Sequence, residues 1–482
     1  MFNFKVIVKI MGLLLVVEAA AMLIALLVAI GYGGPDVTSF LYAIGITAVS
    51  GGILFLLGRK SSNHIAKRDG YIIVTLTWIV FSLFGSLPFM IGDFIPSFTN
   101  AFFETMSGFT TTGSSILTDI EALPHGILFW RSMTQWLGGM GIIVLSLAIL
   151  PALGIGGMQL FVAEVPGPTP DKLHPRIKQT AKRLWGIYVL FTVLETVLLY
   201  IGKMPLFDAV CHSFTTMATG GYSTKQASIA FFTSPYIQYV ITIFMFLAGT
   251  NFTLSYLALN GKLKKAWANE EFRWYGFFVL FFTAIITLGL MRNTNTGFEH
   301  SFREALFQVV SIITTTGYAT ADYLKWPAIM TVFLFSLFFF GGSAGSTGGS
   351  IKIVRIVLLL KNSWYELRRL IHPNAVIPVR FNQRTVSDQI MLNVLAFFMI
   401  YVLVFFGSVV VYTFIEPDLS SAIGAVATSL GNIGPGLGNV GPAENFYHVP
   451  AFGKWFLSFL MLLGRLELFT ILILFTPSFW KN

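Results

Sequence analysis

The chain has 482 residues, of which 55% are hydrophobic and 11% charged, far below the charged share of about a quarter usual in a soluble domain. Its net charge of +9 is spread through loops between apolar runs, so it does not mark a nucleic-acid-binding face. The single cysteine, Cys211, excludes an internal disulfide framework and reads as a packing residue.

Ten apolar runs are long enough to cross a bilayer as helix, which takes about 20 residues. They cover 10–31, 37–57, 71–92, 126–150, 184–202, 236–260, 274–291, 328–360, 391–415 and 451–476. The first run continues to Ile30, longer than the apolar core of about 7 to 15 residues in a signal peptide, so it reads as a retained helix. With the N-terminus inside, 23 of the 31 basic residues fall on the inner face. That is the bias expected of cytoplasmic loops, and it puts both termini in the cytoplasm. Twelve acidic residues fall outside, among them Asp93, Glu104, Asp119, Asp208, Asp322 and Glu416, and an acidic mouth concentrates cations.

After an N-terminal hairpin (1–60), one pattern recurs four times, over 71–150, 184–260, 274–361 and 390–477. In each unit a span leads to a short apolar segment, a Thr/Gly stretch and a second span. The short segments are 98–109, 206–217, 302–313 and 420–430. At 1.5 Å per residue, twelve residues reach about 18 Å against about 30 Å of hydrocarbon, so each segment enters the membrane and turns back. Non-helical backbone at that depth is tolerated where it is buried in protein or lines a wet cavity. The expected fold is therefore an all-α integral membrane protein of four tandem span, re-entrant helix and span repeats around one pseudo-fourfold axis.

The four stretches are Thr110-Thr111-Thr112-Gly113-Ser114, Met217-Ala218-Thr219-Gly220-Gly221, Thr314-Thr315-Thr316-Gly317-Tyr318 and, more loosely, Gly431-Asn432-Ile433-Gly434-Pro435. Gly113, Gly220, Gly317 and Gly434 are spaced 107, 97 and 117 residues apart. A helix dipole is negative at its C-terminus, where each stretch begins, and glycine frees the backbone that follows. Carbonyls at Thr111 and Thr112, Ala218 and Thr219, Thr315 and Thr316, and Asn432 and Ile433 are then placed to replace water around a cation. The competing reading is four ordinary helix caps, which the fourfold recurrence disfavours.

These residues resemble the Trk/Ktr/HKT superfamily of potassium translocation subunits, whose chain joins four span, pore-helix and span units. The resemblance covers essentially the whole chain, and the additional N-terminal hairpin is closer to the Trk branch than to the Ktr branch. It implies potassium as transported substrate, a homodimer, and a cytosolic ring of nucleotide-binding regulatory subunits; the membrane potential, about 2.3 kcal/mol per charge per 100 mV, makes a bound organic cofactor unnecessary. It also implies that the glycines Gly113, Gly220, Gly317 and Gly434 go with potassium selectivity. The fourth loop departs from the pattern by placing Asn432-Ile433 where the others carry Thr or Ala followed by Thr.

A second glycine-rich stretch, Gly341-Gly342-Ser343-Ala344-Gly345-Ser346-Thr347-Gly348-Gly349, lacks the Gly-Lys-Ser/Thr of a phosphate-binding loop and breaks the 328–360 run. Broken helices are typical of transport paths, and by resemblance this loop is the gate. Arg465 in the last span costs at least about 2.5 kcal/mol at the membrane centre unless compensated. The resemblance makes it a cationic barrier beside the gate; a structural ion pair with a carboxylate is the competing reading. Arg131 reads as a snorkelling residue near the outer surface, and Glu18 and Glu195 have no assigned role. The seven histidines show no metal-ligand spacing, and no catalytic constellation supports a membrane enzyme. A sodium- or proton-coupled symporter of the same fold stays open as an alternative, as does binding of the basic 172–183 segment to the inner leaflet or to a partner.

Overall fold

The computed structural model describes residues 3–61, 66–141, 177–294 and 297–481. The 126–150 run beyond residue 141, the start of the 172–183 segment and the middle of the 59–69 loop lie outside the described residues. The first helix, Phe4–Tyr32, begins where the Asn3 side chain accepts from the Val6 amide and ends at Gly33, whose left-handed φ of 62° caps it. It folds back onto Val37–Leu57. Only 22% of that second span is buried, against 67% of Arg68–Ile91, so the hairpin lies outside the repeats with its far side toward lipid.

The repeats follow as four similar units. Their first spans are Arg68–Ile91, Lys182–Ile201, Glu270–Asn293 and Asp388–Thr413. Their re-entrant helices are Phe98–Phe109, Leu206–Met217, Phe298–Ile313 and Leu419–Gly431. The third starts a turn earlier than the apolar pattern indicates, because Glu299 and Arg303 pair along it (2.8 Å) and let a charged turn stay helical. Asp418 caps the fourth by accepting from the Ser421 amide. Phe103, Phe109, Ile312, Ile313, Ala425 and Leu430 are fully buried, so these helices form the centre of the molecule although none spans it.

The second spans differ from expectation. The runs 236–260 and 451–476, read from hydropathy as continuous, are bent by 108° between Pro235–Ala248 and Phe252–Leu259 and by 110° between Ala451–Arg465 and Phe469–Phe475. In repeat 1 the helix His125–Trp136 passes into a π-helical turn at Leu137–Gly141. In repeat 3, Ala328–Ser336 gives way to the glycine-rich loop before Ile353–Ile371 resumes. Every second span therefore breaks or changes winding within the described residues, and only the third break is legible in the sequence. A hairpin pairing Arg380–Phe381 with Arg384–Thr385 follows; its Asn382 exchanges two hydrogen bonds with Glu270 (2.7 and 3.0 Å).

Candidate functional site

Each re-entrant helix ends in the same three-residue conformation. Thr111, Thr219, Thr315 and Asn432 adopt left-handed φ of 54°, 53°, 59° and 54°, and two residues later Gly113, Gly221, Gly317 and Gly434 adopt φ of 83°, 76°, 81° and 107°. Between them, the amides of Thr112, Gly220, Thr316 and Ile433 return to carbonyls of their own helix at Ser107, Thr215, Ser311 and Thr428 (2.8 to 3.0 Å). Left-handed geometry at a non-glycine residue costs about 1 kcal/mol or more, and four such residues at matching places are a built feature.

The equivalence corrects one register. Repeats 1, 3 and 4 align on Thr111-Thr112-Gly113, Thr315-Thr316-Gly317 and Asn432-Ile433-Gly434, but repeat 2 aligns on Thr219-Gly220-Gly221 and not on Ala218-Thr219-Gly220. Ala218 is in helical conformation, at φ −74° and ψ −11°. Two adjacent glycines hid the step: Gly221 supplies the positive φ, whereas Gly220 has no β-carbon because the Gln135 side chain fills that space.

The four glycines close a ring. A β-carbon on Gly113 would run into the Gly220 carbonyl oxygen, one on Gly221 into that of Thr316, and one on Gly317 into that of Ile433, each closer than real Cβ contacts come. One on Gly434 would stand 3.0 Å from the Thr112 oxygen. Each repeat thus meets the next in the same sense, and the fourth returns to the first. Cross-links outside the ring hold this order: Ser114 Oγ donates to Gly434 O (3.1 Å), Tyr222 OH to Glu104 O (2.7 Å), Tyr318 OH to His212 O (3.1 Å) and Tyr323 OH to Gly436 O (2.7 Å).

The glycine-rich loop packs directly under the ring. Gly349 N donates to Thr315 Oγ1 (2.7 Å), Thr347 Oγ1 to Met217 O (3.0 Å), and Ser343 N to Gly249 O (2.8 Å). Asn432 Nδ2 donates to Thr112 Oγ1 and to Met461 O, both at 2.9 Å. The buried Lys352 donates to Gly348 O, and Glu271 accepts from the Ala344 and Val354 amides (2.7 and 3.2 Å). Arg465 reaches three carbonyls, Thr347 O (2.8 Å), Gly138 O (2.6 Å) and Gly139 O (2.8 Å). It therefore joins the loop of repeat 3 to the winding change of repeat 1. Its neighbour Glu467 pairs with Arg355 (2.5 Å).

Two expectations about charge change. Arg131 does not snorkel: it is 2% exposed and its Nε donates to Glu104 Oε1 at 2.7 Å. A buried cation is tolerated when paired and hydrogen-bonded, and its partner sits 27 residues earlier, beyond the reach of a local reading. Glu104 and Asp208 leave the acidic mouth accordingly, both being buried; Asp208 accepts from Thr224 Oγ1 (2.7 Å). Asp93, Asp119 and Asp418 are exposed, and the Ser420 and Ser421 hydroxyls hold the Asp418 carboxyl down to about 2, so it stays charged across physiological pH. Glu18 and Glu195 are buried. Among the described residues no three His, Cys, Asp or Glu side chains gather to hold a metal ion.

Comparison with known proteins agrees with this architecture. The chain is 44% identical over 485 residues to the Trk system potassium uptake protein TrkH of Salmonella typhimurium, with 100% of both chains covered. It is 35% identical to the Trk system potassium uptake protein TrkG of Escherichia coli, with 99% of each covered. The crystal structure of the potassium transporter TrkH from Vibrio parahaemolyticus superposes with a TM-score of 0.90 at 40% identity, over 100% of both chains. The sequence profile of the TrkH family, described as a cation transport protein, matches residues 38–482. The chain therefore belongs to the TrkH family of cation transport proteins, integral membrane proteins that carry ions and are not enzymes.

Proposed function

We propose that this chain takes up potassium across the cytoplasmic membrane, with the ion passing through the ring of Thr112, Gly220, Thr316 and Ile433 carbonyls. The closed succession of glycine against the next repeat's carbonyl is the observation that carries the reading. It gathers four negative helix ends and four peptide oxygens at one place, the arrangement that substitutes for hydration in ion filters. The filter then comprises Thr111, Thr112, Gly113, Thr219, Gly220, Gly221, Thr315, Thr316, Gly317, Asn432, Ile433 and Gly434. It is built by the four units 71–150, 184–260, 274–361 and 390–477, with the 1–60 hairpin outside them. Potassium is substrate, and no organic cofactor takes part. The membrane potential supplies about 2.3 kcal/mol per charge per 100 mV, which is sufficient drive for inward flow.

The loop from Gly341 to Gly349, with Arg465, is the gate, held shut by its bonds to the underside of the ring. Both termini are cytoplasmic. The chain works as a homodimer on a cytosolic ring of nucleotide-binding subunits, whose binding shifts the loop. Rubidium uptake into potassium-loaded proteoliposomes tests permeation. Gly113→Ser puts a β-carbon and a hydroxyl against the Gly220 carbonyl, and is expected to raise sodium permeability relative to potassium by about tenfold, some 1.4 kcal/mol of lost discrimination. An unchanged reversal potential under potassium/sodium gradients would remove this ring from the ion path.

A further inference from the structure

One helix of repeat 1 grips the ring segment of repeat 2. Arg131 and Gln135 lie one turn apart on His125–Trp136, so they share a face; they are 2% and 0% exposed. Gln135 Nε2 donates to the Gly220 carbonyl (2.7 Å), and its Oε1 accepts from the Tyr222 amide (3.1 Å). Arg131 Nη1 donates to Ser223 O (2.9 Å), and its guanidinium lies 3.5 Å from the centre of the Tyr222 ring. The same guanidinium holds Glu104, whose two oxygens accept from Ser115 Oγ (3.0 Å) and the Ile116 amide (2.9 Å). Two adjacent ring segments are thus tied at both ends of one buried ion pair.

The position of Glu104 shows that this tie is particular to one border. Nine residues before each ring glycine stand Glu104, His212, Gln308 and Ala425. His212 Nε2 meets Ser223 Oγ (2.9 Å) and Gln308 Nε2 reaches Thr320 Oγ1 (3.4 Å), so repeats 2 and 3 hold their own exits with side chains of the same repeat. Ala425 has no polar side chain to offer. Among the described residues, only at the border of repeats 1 and 2 does an ion pair, with Gln135 beside it, connect the ring to a spanning helix.

We propose that Glu104, Arg131 and Gln135 are positioning residues that set ion selectivity by holding the Gly220 carbonyl outward. A smaller cation is coordinated well only if ring oxygens move in toward it, and selectivity against it depends on what resists that movement. Here the resistance is a hydrogen bond to the carbonyl itself, backed by a second from the Tyr222 amide to Gln135 and a charge-assisted one from Arg131 to Ser223 O. The inference rests on the filter reading and adds which side chains enforce it.

The test is the reversal potential of the full-length protein in liposomes under opposed potassium and sodium. Gln135→Met keeps the volume, removes both amide bonds and strands no charge. It is expected to raise the sodium-to-potassium permeability ratio about tenfold. Glu104→Gln, which keeps the shape but weakens the tie to Arg131, shifts it in the same direction by less. A ratio unchanged in both variants while potassium still flows, even with thermal stability lowered, overturns the proposal, since a merely structural brace would change stability alone. If Gln135→Met does not reach the membrane, Glu104→Gln and Arg131→Lys decide by the same readout. A wild-type protein that does not discriminate between the two ions would instead sink the filter reading itself.

Discussion

Gly317→Ala is expected to lower potassium flux at least about a hundredfold, a loss of about 3 kcal/mol at the barrier, with Gly221→Ala close behind. Both residues sit at left-handed φ, 81° and 76°, where a β-carbon costs about 1 to 2 kcal/mol. The larger penalty is steric. The added carbon at Gly317 meets the Ile433 carbonyl and lies 2.9 Å from Pro435 Cδ, and at Gly221 it meets the Thr316 carbonyl. The two carbonyls are backbone atoms of the neighbouring repeat, and they move only if the ring moves. Gly434→Ala should be the mildest of the four, because its nearest neighbour, Thr112 O, is 3.0 Å away. Gly220→Ala separates the two possible registers: its β-carbon strikes the Gln135 side chain, not the adjacent repeat. It should keep more flux than Gly221→Ala, and the reverse order, measured as rubidium uptake at equal protein, would restore the register read from sequence.

That contrast marks the limit of what the sequence discloses. Length and hydropathy locate Phe98–Phe109 and Leu206–Met217 to the residue, because an apolar segment too short to cross has one way to be buried. Backbone conformation is not written in side-chain polarity. Gly220-Gly221 offers two candidates for one positive φ, and choosing between them needs the Gln135 side chain, 85 residues away. The same blindness hid the sharp bends. Glu467 and Leu468, at φ of 56° and 49°, turn the last span inside a run whose residues suit a straight helix, whereas the glycines from 341 to 349 announce theirs. Arg131 was misread because its partners, Glu104 and Ser223, lie in separate segments that only the folded ring brings together.

Arg465→Gln is expected to raise basal potassium flux about tenfold or more, because charge-assisted hydrogen bonds contribute about 1.5 to 3 kcal/mol each and this side chain makes at least three. Its guanidinium ties Thr347 of the Gly341–Gly349 loop to the Gly138 and Gly139 carbonyls of repeat 1, so the loop cannot leave the underside of the ring while those bonds stand. Arg465→Lys distinguishes a latch from a barrier. An ammonium keeps the positive charge but lacks the planar fork that spans separate acceptors. If charge alone blocks the path, the lysine variant stays closed; if the fork holds the loop, it leaks. The three-carbonyl geometry favours the fork, and we expect the lysine variant to leak nearly as much as the glutamine one. Shortening the Gly341–Gly349 loop should raise basal flux by the same route, since the bonds from Gly349 to Thr315 and from Thr347 to Met217 need its full length. Basal rubidium flux that stays at the wild-type level in all three variants would take the gate away from this loop.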